Sequence, residues 1–189
     1  MNLPDCETCR RLLEYYRVPP HIVAHSRQVA AIGVALGEAL AETGLRFDRQ
    51  LLLSSGLLHD IAKMASLEKG CDHAELGAQW LRQAGYPEVA EIVGSHIRLP
   101  AASPAVSGKG PLGARELVFY ADKRVRHDEI VSLDERLEDL RNRYGNRSFS
   151  RNWLQDLKHL VFSLERRIFA VLPFGPEAVA DLAAAVKIC

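Results

Sequence analysis

One dipeptide, His59-Asp60, constrains this chain more than any other feature. It closes an apolar run, Leu51-Leu52-Leu53-Ser54-Ser55-Gly56-Leu57-Leu58, and Lys63 follows it. An ionised carboxylate at the edge of a buried helix is costly to desolvate unless a partner compensates it. A divalent metal is the compensation that also employs the neighbouring imidazole. Further residues of the same two types, His25, His73, His96 and Asp122, fall at helix-like places along the chain.

Helical periodicity dominates the sequence, and no run shows convincing strand alternation. A first helix is expected over 4–17, stopping before Val18-Pro19-Pro20. A second, over 20–43, has Ile22, Val29, Ile32, Leu36, Ala39 and Leu40 at three- and four-residue steps, with Gly44 as its terminator. Asp48 caps a third, which carries the apolar run into His59-Asp60. Asp72 with Glu75 reads as a capping box for a fourth, ended by Gly85. Pro87 starts a fifth that reaches His96. Residues 98–112, rich in Pro, Ser, Gly and Ala, read as the long loop. A sixth helix over 113–123 delivers Asp122 at its end. Ser132 with Glu135 opens a charged helix to Tyr144, and helices over 148–172 and 176–188 complete the chain. The fold class is therefore all-α, a single-domain helical bundle. Residues 1–144 form the functional domain, with the candidate ligands within 20–130, and 145–189 is a C-terminal helical packing segment.

Composition excludes several functions. The 189 residues are 48% hydrophobic and 25% charged, enough to build a core. Lys plus Arg equals Asp plus Glu at 24 each, so net charge is zero. Nothing in that balance suggests bulk electrostatic binding to nucleic acid or to an anionic membrane. The first ten residues lack an apolar signal region, and the apolar C-terminal stretch is cut by Pro173, Gly175 and Pro176. The expected localisation is cytoplasmic, with Cys6, Cys9, Cys71 and Cys189 reduced. Cys6-Glu7-Thr8-Cys9 has CxxC spacing, but without a second pair it reads as two thiols on an amphipathic helix.

Four His and two Asp make a mixed N/O ligand set without thiolate. Spread over several helices, they meet only in a bundle core. Six ligands exceed the three or four that one open catalytic ion usually takes from protein, so the count suggests two ions, bridged by Asp60. The order His25, His59-Asp60, Asp122 resembles the HD-domain superfamily of metal-dependent phosphohydrolases. His59-Asp60-Ile61-Ala62-Lys63 is similar to its HDIG-type motif, with Ala62 where glycine is usual. Ala121-Asp122-Lys123 resembles its final aspartate segment, and His73 and His96 resemble the additional ligands of the dinuclear subset. Two departures narrow the likeness. Gly85-Tyr86-Pro87 precedes His96, whereas the GYP signature of cyclic-di-GMP phosphodiesterases follows a His-His-Glu segment. Ile61-Ala62-Lys63 lacks the acidic residues of the stringent-response hydrolases. The chain also resembles small single-domain members, including a group similar to symmetrical dinucleoside tetraphosphate hydrolases.

The resemblance implies that His25, His59, Asp60 and Asp122 hold one metal, and that His73, His96 and the shared Asp60 hold the second. Iron or manganese is expected first, with Mg, Zn, Ni or Co as alternatives. It implies a phosphohydrolase acting on a nucleotide or another small phosphate ester or anhydride, with Asp60 and Lys63 as catalytic residues. Lys63, one turn from His59, would neutralise phosphate charge. Arg98, Lys109, Lys123 and Arg124 lie near the site in sequence and are further phosphate-binding candidates. His127-Asp128 follows a basic run rather than an apolar one and reads as a solvated segment. His21 and His159 read as structural or surface residues. The expected partner is a small phosphate substrate, with no membrane, no bulk nucleic acid, and a homodimer as the candidate assembly. The alternatives are a di-iron oxygenase of related fold and a metal-bound nucleotide sensor without turnover.

Overall fold

The computed structural model describes residues 2–144 and 150–188. Its helices are α1 (Cys6–Tyr15), α2 (Pro20–Ala41), α3 (Arg49–Leu58), α4 (Lys63–Lys69), α5 (His73–Gln83), α6 (Pro87–Val93), α7 (Pro104–Ser107) and α8 (Ala114–Asp122). A two-stranded antiparallel hairpin, β1 (Val125–Arg126) and β2 (Glu129–Ile130), follows, then α9 (Leu133–Tyr144), α10 (Ser150–Phe169) and α11 (Val179–Ala185). The architecture is all-α. The long helix starts at Ser150, and its expected residues 148 and 149 lie outside the described residues, as does Cys189.

Helix starts follow local chemistry. The Asp5, Asp48 and Asp72 side chains accept from the backbone amides of Thr8, Leu51 and Ala74 respectively. Such caps contribute about 1 kcal/mol each. Pro20 and Pro87 open α2 and α6, where a missing N–H costs nothing. Around its middle, α2 is apolar on every side, as expected of a helix enclosed by others. Val29, Ala30, Ile32, Val34 and Leu36 are buried there, and α3, α8 and α11 pack against α2. Val161, Leu164 and Ile168 of α10 and Val179 and Ala183 of α11 join the same apolar core. No helix among the described residues is long and apolar enough to cross a membrane.

The α2–α3 crossing fixes the position of the site. A Cβ at Gly56 would lie 2.5 Å from the Ala30 Cα, closer than atoms can pack. Glycine therefore lets the two backbones touch, which brings His25 of α2 towards the end of α3. The chain leaves α3 through a short turn, His59 to Ala62, closed by hydrogen bonds that the Ile61 and Lys63 amides donate to the Leu58 and Asp60 carbonyls respectively. Ala62 sits at φ −101°, ψ 7°, a conformation open to any residue, so alanine serves where a glycine is usual.

Four local expectations need correction. The seven-residue α4 was not expected, because it is too short to show a period. The short α7 lies within the expected long loop. Residues 125–130 form the hairpin, too brief to show alternation. Helix α6 stops at Val93, so His96 stands in the turn beyond it. Among the cysteines, Cys9 and Cys71 are free thiols, whereas Cys6 is disulfide-bonded rather than reduced; Cys6 and Cys9 are not each other's partners.

Gly56→Ala should overpack the α2–α3 crossing. Overpacking of this kind costs about 1–3 kcal/mol, which lowers the melting temperature of a chain this size by roughly 2–10 °C. Thermal unfolding followed by circular dichroism checks this; an unchanged melting temperature would mean the crossing is not tight.

Candidate metal centre

Four imidazoles and two carboxylates converge where α2, the ends of α3, α6 and α8, and the start of α5 meet. The carboxylate of Asp60 stands at the middle. Its Oδ1 lies 3.1 Å from His73 Nε2 and 3.5 Å from His96 Nε2, and its Oδ2 lies 3.5 Å from His59 Nε2. Asp122 Oδ1 lies 3.1 Å from His25 Nε2 and 3.7 Å from His59 Nε2. The ligand atoms of His25, His59 and Asp60 lie within 4.8 Å of one another, and so do those of Asp60, His73 and His96. The two groups share Asp60.

Backbone carbonyls aim the rings. His59 Nδ1 is 2.8 Å from the Gly56 carbonyl, and His96 Nδ1 is 2.6 Å from that of Val93, each three residues back. These carbonyls belong to helix ends, where intrahelical donors run out. His25 Nδ1 is 2.8 Å from the His127 carbonyl in the β1–β2 turn. A carbonyl only accepts, so each Nδ1 carries the proton and donates it. Nε2, with its lone pair, then faces the cluster, the arrangement that metal-ligating imidazoles adopt.

Electrostatics keep both carboxylates charged inside the cluster. Burial pushes Asp60 towards its neutral form, but His59, His73, His96 and Lys63 outweigh it and hold the carboxyl well below the usual range. Burial acts likewise on Asp122, and Lys123, His25 and His59 likewise keep it ionised. At His59, burial opposes protonation, yet the Asp60 and Asp122 charges raise its affinity for a proton. Burial dominates at His96 and favours the neutral ring. The buried His59 Nε2 and Asp60 Oδ1 have no hydrogen-bond partner. Inward lone pairs, ionised carboxylates and unpartnered buried atoms together fit divalent cations.

Lysines stand on two sides. Lys63 Nζ is 2.5 Å from Asp60 Oδ2, with 43% of its side chain exposed. Lys123 Nζ donates to Asp122 Oδ2 at 2.5 Å and to the His96 carbonyl at 3.1 Å, and Lys123 is buried. A pocket of about 350 Å³ opens over the cluster at His25, Asp60 and Lys63. His21, Ile22, Met64, Arg136 and Arg143 are among its other walls.

The structure thus gathers His25, His59, Asp60, His73, His96, Asp122 and Lys63. It leaves out two of the expected phosphate-binding residues and turns a third inward. Arg98 lines a different cleft, beside Trp153 and Leu157. Arg124 is buried, held by Tyr120, Glu165 and the carbonyls of Val131 and Pro176, because the chain turns away from the site after Asp122. Lys123 is engaged by Asp122 and by the His96 carbonyl in the turn after α6, and it is not among the residues lining the pocket over the cluster. His127 and Asp128 are exposed as expected, but the His127 carbonyl is used by His25. His21, Arg136 and Arg143 escaped sequence reading: one histidine and two arginines of a charged helix carry no local signal.

A model of the HD-domain family matches residues 22–141. Ribonuclease Y of Aquifex aeolicus is 32% identical over 123 residues, covering 59% of this chain and 21% of that protein. An uncharacterised protein of Methanocaldococcus jannaschii is 28% identical over 134 residues, covering 66% of this chain and 78% of that one. Among solved structures, a predicted HD superfamily hydrolase from an uncultured Thermotogales bacterium overlaps 86% of this chain and 87% of its own, with 22% identity and a TM-score of 0.41.

If the two ligand groups each hold a cation, elemental analysis should approach two ions per chain, and His73→Ala should remove one of them. Chelation should lower the melting temperature, because ligands from five helices couple metal binding to folding. Protons compete for His59, whose affinity for them is raised, so metal affinity should climb as pH rises from below the ordinary imidazole range to above it. Metal titrations at both ends of that range check the direction; a single ion in fully loaded protein would sink the two-ion arrangement.

Proposed function

The chain belongs to the HD-domain family, and from that membership and the cluster around Asp60 we propose that it is a metal-dependent phosphohydrolase acting on small phosphate esters or anhydrides, nucleotides first. The observation that carries this reading is the buried, partnerless pair His59 Nε2 and Asp60 Oδ1 beneath a pocket that Lys63 enters. His25, His59, Asp60 and Asp122 would hold one divalent cation, and Asp60, His73 and His96 a second. Iron and manganese suit this nitrogen and oxygen set. When bound, such ions polarise a phosphoryl oxygen and lower the pKa of a coordinated water.

The chain's own residues supply the rest. Asp60 links the two ligand groups and sets their separation. The Gly56 and Val93 carbonyls keep His59 and His96 in one tautomer, so neither ring must reorganise during turnover. Lys63 has three donor hydrogens; one engages Asp60, which leaves two for a ligand in the pocket that Lys63 lines. A phosphoryl group entering there meets a fixed ammonium, which stabilises the charge that grows on its oxygens. Lys123 holds Asp122 from behind and ties it to the turn bearing His96.

A volume of about 350 Å³ lies at the small end of ligand pockets and suits a compact substrate such as a mononucleotide. The matched stretch spans only 21% of the ribonuclease Y of Aquifex aeolicus. An oligoribonucleotide therefore belongs among the test compounds.

A panel of nucleotides, phosphomonoesters and a short oligoribonucleotide, offered to Fe- or Mn-loaded protein, tests the proposal. Release of phosphate or of a shortened nucleotide is expected. Asp60→Asn should lose metal and activity together. Lys63→Ala should keep its metal while kcat falls by about 10²–10³-fold, the usual loss for one charged donor to a transition state. Fully loaded protein that releases nothing from any member of the panel would overturn the assignment. Wild-type turnover in Lys63→Ala would remove Lys63 from it.

A further inference from the structure

We propose that Arg136 and Arg143 of α9 form a second anion subsite in the mouth of the metal-centre pocket, so that the substrate carries a further phosphate beyond the one attacked, as in a nucleoside diphosphate or longer polyphosphate. The inference rests on the phosphohydrolase reading for the word substrate, but not for the subsite itself.

Both arginines line the pocket that contains Lys63 and Asp60. They are held in place by one carboxylate. Asp139 accepts from Arg136 Nη1 at 2.6 Å and from Arg143 Nε at 2.8 Å. The spacing 136, 139, 143 puts all three on one face of α9. Arg143 is fixed a second time, since its Nη2 lies 3.1 Å from His127 Nε2. A guanidinium only donates, so His127 accepts there. Two guanidiniums steadied by a shared carboxylate keep Arg136 Nη2 and Arg143 Nη1 outside these contacts, on residues that line the pocket, and a guanidinium held in place is the pre-organised donor that phosphate recognition uses.

Stability alone does not explain the arrangement. The Arg136 side chain is only 12% exposed, and its Nε is buried with no acceptor. A buried guanidinium with an unpartnered donor costs free energy, and an anion bound at its remaining nitrogen, Nη2, would offset part of that cost through the shared charge. The pocket's other wall is apolar: Met64 and Leu67 are among the most exposed large hydrophobic residues of the described chain, with Ile22 beside them. Solvent-exposed apolar side chains at a pocket rim suit the face of a base. Asp128, at the hairpin turn, adds one acceptor suited to a hydroxyl rather than a phosphate. Metal ligands, Lys63, an arginine fork and an apolar rim then match scissile phosphate, second phosphate and nucleoside.

The test is calorimetric titration of metal-loaded full-length chain with ADP and with AMP, alongside turnover of both. Wild type should bind ADP at least about tenfold more tightly than AMP, as one charge-assisted contact provides. Arg136→Gln and the more exposed Arg143→Gln should each erase most of that ratio while leaving AMP affinity and metal content unchanged. Equal binding of ADP and AMP by wild type, or a ratio that survives both substitutions, overturns the subsite. Preferential ADP binding without turnover supports the subsite and counts against the phosphohydrolase reading instead.

Discussion

Asp60 is the residue on which the site depends. Only 2% exposed, it faces His59, His73 and His96 and is touched by Lys63. A carboxylate so enclosed is tolerable only while positive charge stays near it. Four partial answers are built in, three imidazoles and one lysine, and the unpartnered oxygen leaves a place for a cation. This requirement reaches outward. His59 must hold its ring at one angle, so the end of α3 must terminate at that residue. Gly56 must let α2 and α3 touch, or His25 could not approach the same point. The turn of Ile61 and Ala62 must be tight enough for Lys63 to reach back.

Helix ends are the tool that meets these demands. A ligand inside a long helix inherits its direction from the helix axis. A ligand just past the last turn can also use the carbonyls that the helix leaves without donors. His59 and His96 both do so, each bonding the carbonyl three residues earlier. The same backbone device recurs on two helices with different sequences, Gly56-Leu57-Leu58-His59 and Val93-Gly94-Ser95-His96. His25 sits within α2 and lacks this option. Its ring is fixed by a carbonyl from the hairpin, about a hundred residues later in the chain. That carbonyl is presented by His127 in the left-handed region at φ 57°, a conformation that costs a non-glycine residue some stability.

How much of this was legible in the sequence follows from the range of each signal. The all-α class and most helix positions rest on local periodicity, caps and prolines, which survive folding unchanged. His59-Asp60 stood out because polar residues ending an apolar run conflict with local logic. The elements that escaped were too short to carry a period: α4, α7 and the hairpin. Proximity in sequence was a poor guide to which basic residues line the pocket. Lys123 and Arg124 follow Asp122 directly, but a turn at the end of α8 sends one to the back of the cluster and the other to Glu165. Arg136 and Arg143 lie more than ten residues further on, in a helix whose sequence read only as charged. Only tertiary packing brings them over the pocket.

The hairpin connects these two halves of the problem. Its turn lends a carbonyl to His25 beneath the pocket and an imidazole to Arg143 beside it, both from His127. One residue therefore touches a candidate metal ligand through its backbone and a pocket arginine through its side chain. The side-chain contact can be removed while the backbone contact stays, since any residue supplies a carbonyl. Glycine would even fit the left-handed backbone more easily. A position whose two roles separate so cleanly lets the demands of the cation cluster and of the pocket mouth differ without disturbing each other. Asp60, by contrast, has only its two carboxylate oxygens to serve every neighbour, and no substitution could spare one role while keeping another.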